Sequence, residues 1–323
     1  MNFNPLVSII IPVYNGSNYM REAIDSALNQ TYKNIEVLVI NDGTNDGGKS
    51  ERIALEYGAK IRYYFKTNGG VSSAFNLGIQ KMKGEYFSWL SHDDVYYPNK
   101  VKKQIELLSE SGKHNVIIYS DTDYINEYSK LININRITYP SPYGKELIWL
   151  LLYRSVIKAD TVLIPRNCLK EVRCFDEQLL TSQDYDLWFR LAKKFEFRYI
   201  DIPLAKIRIH AEQGSKTINS FFHESCETKI RHFNSLSKDE LLSLTEEEKL
   251  NNVYFKFAFR YSLNGGKLSS WPDYYLWSIL IANSNICKKL FFFLISQINC
   301  KVLKYFVKIF PFNYKFKFEQ KHE

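Results

Sequence analysis

Apolar runs and polar clusters alternate along the first two thirds of the chain. Residues 6–13 form an apolar run rich in β-branched residues, the pattern of a strand covered on both faces. Residues 18–28 have apolar positions at helical spacing. The alternation then repeats. Residues 35–40, 61–65, 85–90 and 115–120 read as strands, and 49–57, 71–82 and 99–109 as helices. Such a pattern predicts an α/β fold, with a mostly parallel central sheet and helices on both faces. Ligands of such sheets bind beyond the carboxyl ends of the strands. The polar clusters that follow the strands are therefore the candidate chemistry.

Later segments are shorter. Residues 124–135 read as a hairpin, 145–153 and 184–194 as helices, and 197–202 and 204–209 as short strands. After Gly214 the strand signal fades. The expected division is 1–213 for the sheet-bearing part and 214–323 for a mainly helical region. Near the end, Gln297, Lys301, Lys304 and Lys308 make one polar stripe at helical spacing beside apolar Ile298, Val302, Phe306 and Ile309. Lysines interrupt this segment too early for a spanning helix, which needs ~20 mostly apolar residues. An amphipathic helix lying on an anionic membrane surface is expected. The alternative is a helix packed on the rest of the protein with its lysines in water.

Composition narrows the field only slightly. The chain has 323 residues and a net charge of +8, which suits acidic partners: phosphorylated substrates, anionic headgroups or nucleic acid. No nucleic-acid recognition motif is found, so nucleic acid is not an expected partner. The five cysteines form no C-x-x-C pair, which fits a reduced, cytoplasmic protein. The N-terminus runs almost at once into a strand, and no secretory leader is expected.

The most informative cluster is Ser91-His92-Asp93-Asp94, directly after an apolar strand. Two adjacent carboxylates there call for a positive partner, and a divalent cation holding a diphosphate would supply one. Strand one ends in Pro12-Val13-Tyr14-Asn15 and strand two in Asn41-Asp42-Gly43. Ser182-Gln183-Asp184-Tyr185-Asp186-Leu187-Trp188 comes later, followed by Arg208-Ile209-His210.

This set, in this order, resembles the family 2 glycosyltransferases, inverting enzymes of the A-type nucleotide-sugar fold, many of them builders of bacterial surface polysaccharide. The resemblance covers roughly the first two thirds of the chain. It implies that Pro12, Val13, Tyr14 and Asn15 cup the nucleotide base and that Asp42 accepts a hydrogen bond from the base ring. Asp93 and Asp94 would serve the ribose and the metal-bound diphosphate, in an order left open. Asp184 would be the catalytic base, and His210 a group near the metal. Lys66 and Asn68, after strand three, either line the nucleotide site or only form a turn. Many members carry Asp where Ser91 stands and Glu where Gln183 stands, so this chain has fewer acids at both places.

The implied activity is transfer of a hexosyl or N-acetylhexosaminyl group from a UDP-sugar, with Mn²⁺ or Mg²⁺, to a glycan or lipid-linked acceptor. The implied setting is the cytoplasmic face of the inner membrane, held peripherally. A metal on the diphosphate neutralises the leaving group, and a carboxylate on the opposite face of the sugar takes the acceptor proton. Bland readings stand beside each role. Asp184 could cap its helix, Asp42-Gly43 could be a plain turn, and His210 a satisfied polar residue. Asp186 reads as a first-turn charge favoured by the helix dipole, and Trp188 as packing. Two other functions remain open. Residues 43–50 satisfy the P-loop pattern, which suggests a nucleotide hydrolase or kinase, although Asp42 and Asp46 suit a phosphate cradle poorly. A non-catalytic sugar-nucleotide scaffold would keep the same fold.

Overall fold

The computed structural model describes residues 3–132, 144–152, 156–218, 220–245 and 253. The amphipathic segment expected at 288–309 and the last residues of the hairpin expected at 124–135 lie outside them. By compactness the chain divides into two units, Met1–Phe233 and Asn234–Glu323.

The first unit begins with the expected alternation: β1 (Val7–Val13), α1 (Met20–Leu28), β2 (Ile35–Asp42), α2 (Lys49–Glu56), β3 (Arg62–Lys66), α3 (Gly70–Lys81) and β4 (Tyr86–Trp89). Strands β3, β2, β1 and β4 are neighbours in that order, and every pairing among them is parallel. All seven residues of β1 are buried, as its unbroken apolar run requires. Helix α3 lies tight on β1 at Gly78, where an added Cβ would come within 2.5 Å of Ile10 Cγ2. Since these strands run the same way, Asn15, Asp42 and the Ser91–Asp94 cluster emerge at one edge of the sheet.

The second half adds β5 (Val95–Tyr96), α4 (Lys100–Ser111), β6 (Val116–Asn126), β7 (Leu131–Ile132), α5 (Gly144–Leu151), β8 (Leu163–Pro165), α6 (Arg166–Glu171), α7 (Gln183–Ala192) and β9 (Glu196–Ile209). The sheet continues from β4 through antiparallel β8 to β6, β9 and β5, and β7 pairs with β6 as a hairpin. Three differences from the pattern reading have physical causes. Strands β5 and β8 have two and three residues, too few to show periodicity. Strand β6 runs six residues beyond Ser120, because its polar Asp121-Thr122-Asp123 stretch is held by pairing with β9. The two short strands expected at 197–202 and 204–209 are one strand with a bulge. Ser120 pairs with Ile200 and Thr122 with Ala205, so Asp201–Leu204 carry extra length. Pro203, which has no amide proton for a ladder, sits in that bulge.

After β9 come α8 (Gly214–Thr217) and α9 (Phe221–Asn234). The second unit contains α10 (Lys238–Ser243), which opens on a reciprocal cap. Glu240 N donates to Ser237 Oγ, and Ser237 N donates to Glu240 Oε2.

Candidate active site

The first wall of the site is a pair of clipped loops beyond β1 and β2. Asn15 adopts a left-handed backbone with φ of 50°, a conformation Asn tolerates better than most residues. Its amide donates to Thr44 Oγ1 at 3.1 Å, and its side-chain oxygen accepts from Asn45 N at 3.0 Å. Its polar groups therefore join the two loops. Pro12 and Val13 are buried in β1, and Tyr14 stands 47% exposed at the mouth. Asp42 is buried at the end of β2. Its Oδ1 accepts from Lys66 Nζ at 2.6 Å and from Gly69 N at 3.0 Å, while Asn68 Nδ2 donates to the Asp42 carbonyl. Lys66 and Asn68 thus fix the Asp42 loop, and the Lys66 and Gly69 bonds to the carboxylate fall on one oxygen.

The second wall is the cluster after β4. Asp93 and His210 meet: Asp93 Oδ2 lies 2.9 Å from His210 Nε2. Burial opposes the Asp93 charge, but the hydrogen bond from His210 and the nearby His92 outweigh it and hold its carboxyl below the usual range. His92 packs on Gly16, where an added Cβ would come within 2.5 Å of the ring, and burial lowers its own pKa. This contact joins the base-side loop to the acid cluster.

Asp94 turns the other way. It is 5% exposed, its Oδ1 accepts from the Arg208 amide at 2.8 Å, and it is hydrogen-bonded to Asp160. Asp160 in turn accepts from Ser91 N at 2.6 Å. Burial, and then the neighbouring acids, push the Asp94 carboxyl well above the ordinary range, and burial raises Asp160 to about 6. Beneath them lies Lys100, fully buried and bonded to Ser88 Oγ, Gln104 Oε1 and the Val162 carbonyl; burial pulls it down to about 7. The sequence pointed to Asp93 and Asp94 together, and only Asp93 is turned toward His210. Asp94 ties the loop to β9 through the Arg208 amide.

A pH prediction follows. A carboxyl whose pKa rises on folding favours the native state while protonated. That contribution is present below the unfolded value near ~3.9 and is lost as pH rises through the folded value. For Asp160 the loss falls between about pH 4 and about 6. In chelator, wild type should lose urea stability across that window relative to Asp160→Asn. Parallel curves for the two proteins would refute the assignment.

The third wall is α7. Asp184 is in its first turn, two residues after Ser182, which holds the N-cap position without a side-chain capping bond. Asp184 Oδ1 accepts from Tyr185 N at 2.7 Å. Burial raises its pKa, opposed by the Tyr185 amide and by Lys158 and Lys229 nearby. Four residues on, and so on the same helix face, Trp188 packs against Trp89 at the end of β4 with ring centroids 6.4 Å apart. This packing directs the Asp184 face of α7 toward the β4 end of the sheet. The approach to the helix is held from α9. Glu224 Oε1 accepts from Thr181 N, Thr181 Oγ1 and Ser182 N, and Oε2 from Leu180 N.

Asp186 is more than a first-turn charge. It is 4% exposed, Arg190 Nε lies 2.8 Å from Oδ2, and Arg231 Nη2 and His232 Nε2 lie 3.0 and 3.1 Å from Oδ1. Trp188 is buried packing, as its pattern suggested. Asp160, Glu224 and the Asp186 partners Arg231 and His232 gave no signal in the sequence, since their contacts span 40 or more residues. Arg208 did have one: it lies two residues before His210, at the end of a strand pattern.

The P-loop segment is built differently. Asp46 accepts from the amides of Lys49 and Ser50 and from Ser50 Oγ. A carboxylate thus occupies the α2 amino terminus that a phosphate would need. Among the described residues, no group of three or more His, Cys, Asp and Glu is arranged to hold a metal. Asp93 nevertheless fits one kind of ion, since Mg²⁺ sites use one or two carboxylates plus substrate phosphates and waters, with His210 hydrogen-bonded beside it.

A parallel half-sheet with an acid and a histidine at its carboxyl edge, and a carboxylate on a helix packed against it, defines an α/β fold with its candidate chemistry where such sheets bind ligands. The profile described as Glycosyl transferase family 2 matches residues 8–161. An uncharacterized glycosyltransferase of Rickettsia typhi (RT0329) is 45% identical over 251 residues, covering 77% of this chain and 75% of that protein. One from Rickettsia bellii is 51% identical over 249 residues, 77% of this chain, but the matched stretch spans only 35% of that longer protein. The crystal structure of S. aureus TarS 1-349 in complex with UDP-GlcNAc shares the fold, with a TM-score of 0.60, 16% identity, and coverage of 80% of this chain and 79% of that one. The chain belongs to glycosyltransferase family 2.

Proposed function

We propose that the protein transfers a sugar from a UDP-sugar to a hydroxyl of a glycan or lipid-linked glycan, with inversion, using Asp184 as general base. The observation that carries this reading is the joining of the Asp93–His210 pair and the Asp42 loop along one sheet edge, with α7 packed against that edge through Trp89 and Trp188. The TarS structures with UDP and UDP-GlcNAc support a uridine nucleotide as the donor.

In this reading Tyr14 and the free Asp42 oxygen meet the base. Asp93 and His210 would hold Mg²⁺ or Mn²⁺, which when bound neutralises charge growing on the diphosphate. Asp184 takes the acceptor proton. Burial raises its pKa and so makes it a stronger base than an exposed aspartate. Asp94 falls outside the metal set, because its carboxyl is occupied by Arg208 and Asp160. The P-loop reading is disfavoured by the Asp46 cap, and the scaffold reading leaves the raised Asp184 pKa without a use.

The setting is proposed as peripheral, on the cytoplasmic face of a membrane carrying the acceptor. The net charge of +8 supports an anionic surface. Among the described residues no helix is long and apolar enough to cross a membrane.

The test is a panel of nucleoside diphosphates and nucleotide sugars, with and without Mn²⁺, scored by thermal stabilisation. A ligand bound to the native state raises Tm by mass action. UDP or a UDP-sugar should stabilise more with Mn²⁺ than without. Stabilisation by ATP alone would overturn the reading.

A further inference from the structure

We infer that Arg208 is the positioning residue of the donor site: its buried guanidinium sets the Asp93–His210 pair and couples it to the nucleotide-side helix. This rests on the donor-site reading above and deepens it.

Arg208 is 0% exposed, an expensive place for a permanent charge unless its donors are used. They are used on three different elements. Nε donates to the Asp93 carbonyl at 2.8 Å. Nη1 donates to the Asn126 carbonyl at 3.1 Å and to Ser129 Oγ at 2.9 Å, in the β6–β7 turn. Nη2 donates to Glu22 Oε2 at 2.6 Å, in the first turn of α1. Ser129 Oγ also donates to Glu22 Oε2, at 2.8 Å, closing a ring of contacts around the guanidinium. The face of the group lies 4.4 Å from the Tyr19 ring centroid, and Tyr19 also packs against His210, centroids 5.1 Å apart.

The end of β9 makes this a device for Asp93. Arg208, on the strand, grips the main chain of Asp93, and His210, the residue just past the strand, meets its carboxylate. The Arg208 amide binds the Asp94 carboxylate as well. One strand end thus fixes Asp93 from its backbone, its side chain and its neighbour. Through Glu22 and Tyr19 the same guanidinium holds α1, the helix that follows the Tyr14–Asn15 loop. Both ends of a bound nucleoside diphosphate would therefore be placed by one buried cation. A lysine cannot do this, since it offers a point charge where a planar fork reaches three directions at once.

The test uses Arg208→Lys, with Glu22→Gln as a second variant that leaves the arginine in place and changes a partly exposed residue. Arg62→Gln is the control; it breaks the Glu36 and Tyr64 contacts on β3, away from Asp93. UDP binding is measured calorimetrically with Mn²⁺ and with chelator, alongside Tm. Loss of an outer-shell partner weakens metal affinity by roughly 10–100-fold. Arg208→Lys should weaken Mn²⁺-dependent UDP binding by about tenfold. Glu22→Gln should weaken it less, and both should weaken binding in chelator by a smaller factor than binding with Mn²⁺. The control should lower Tm without changing either affinity. If Arg208→Lys and Glu22→Gln bind UDP with Mn²⁺ as wild type does, the positioning role is overturned and the donor reading survives. If the affinity losses follow Tm, so that Arg62→Gln shows them too, Arg208 is structural only. If wild type itself gains nothing from Mn²⁺, the donor reading falls and this inference with it.

Discussion

Asp184→Asn should lower sugar transfer by roughly 10²–10⁴-fold, the usual contribution of a general base, while UDP affinity stays at the wild-type level. The substitution keeps the shape of the side chain and removes only its ability to take a proton. The fold around it does not depend on that charge. The segment preceding α7 is held by Glu224 through four hydrogen bonds, none of which involves Asp184. The donor site should survive because Asp93, His210 and Asp42 make their bonds without Asp184. Steady-state transfer and calorimetric UDP binding together check this. Undiminished transfer in the Asn variant would remove Asp184 from the chemistry. Lost UDP binding would show instead that it serves the donor.

Asp186→Ala should have the largest effect on stability, about 3 kcal/mol, the low end of the loss seen when one member of a buried charge cluster is removed. Asp186 gathers Arg190, Arg231 and His232 around a carboxylate that is 4% exposed. Burial works against that charge, but His232 and Arg190 outweigh it and hold the carboxyl below the usual range. Without Asp186, His232 and part of Arg190 stay buried with less to pair with. Arg231 is half exposed and can turn to water, which is why the low end of the range applies. Arg190 also bonds the carbonyls of Val172 and Cys174, where Arg173 and Cys174 hold positive φ. Loss of Asp186 should therefore loosen that turn too. Urea unfolding measures the effect, and a change under about 1 kcal/mol would mean that the cluster is a solvated one.

The sequence made the long elements legible, and it made legible those parts of the site that sit at strand ends. β1, β2, β4 and the helices between them follow from periodicity, because each is long enough to show it. Asp42, Asp93 and His210 stand out because parallel strands deliver their carboxyl ends to one edge. What the sequence hid is long-range. Nothing near Asp160 says that it is hydrogen-bonded to Asp94, and nothing near Glu224 says that it caps the approach to α7. The two acids after β4 read as equals, and their difference arises only when β9 presents the Arg208 amide to one and the His210 ring to the other. Lys100 shows the same limit. It stands in the first turn of α4, nothing in the sequence singles it out, and it lies fully buried.

The irregular stretch in β9 gives the strand a parity. Two steps along β6, from Ser120 to Thr122, match five along β9, from Ile200 to Ala205, so the last strand carries an odd surplus of three residues. Side chains alternate with each residue. The surplus therefore decides which way everything downstream looks, Arg208 and His210 included. A single-residue deletion among residues 201–204 would leave every downstream amino acid unchanged and swing both toward the opposite face. The catalytic edge is encoded as much by the count of residues in that stretch as by their identity.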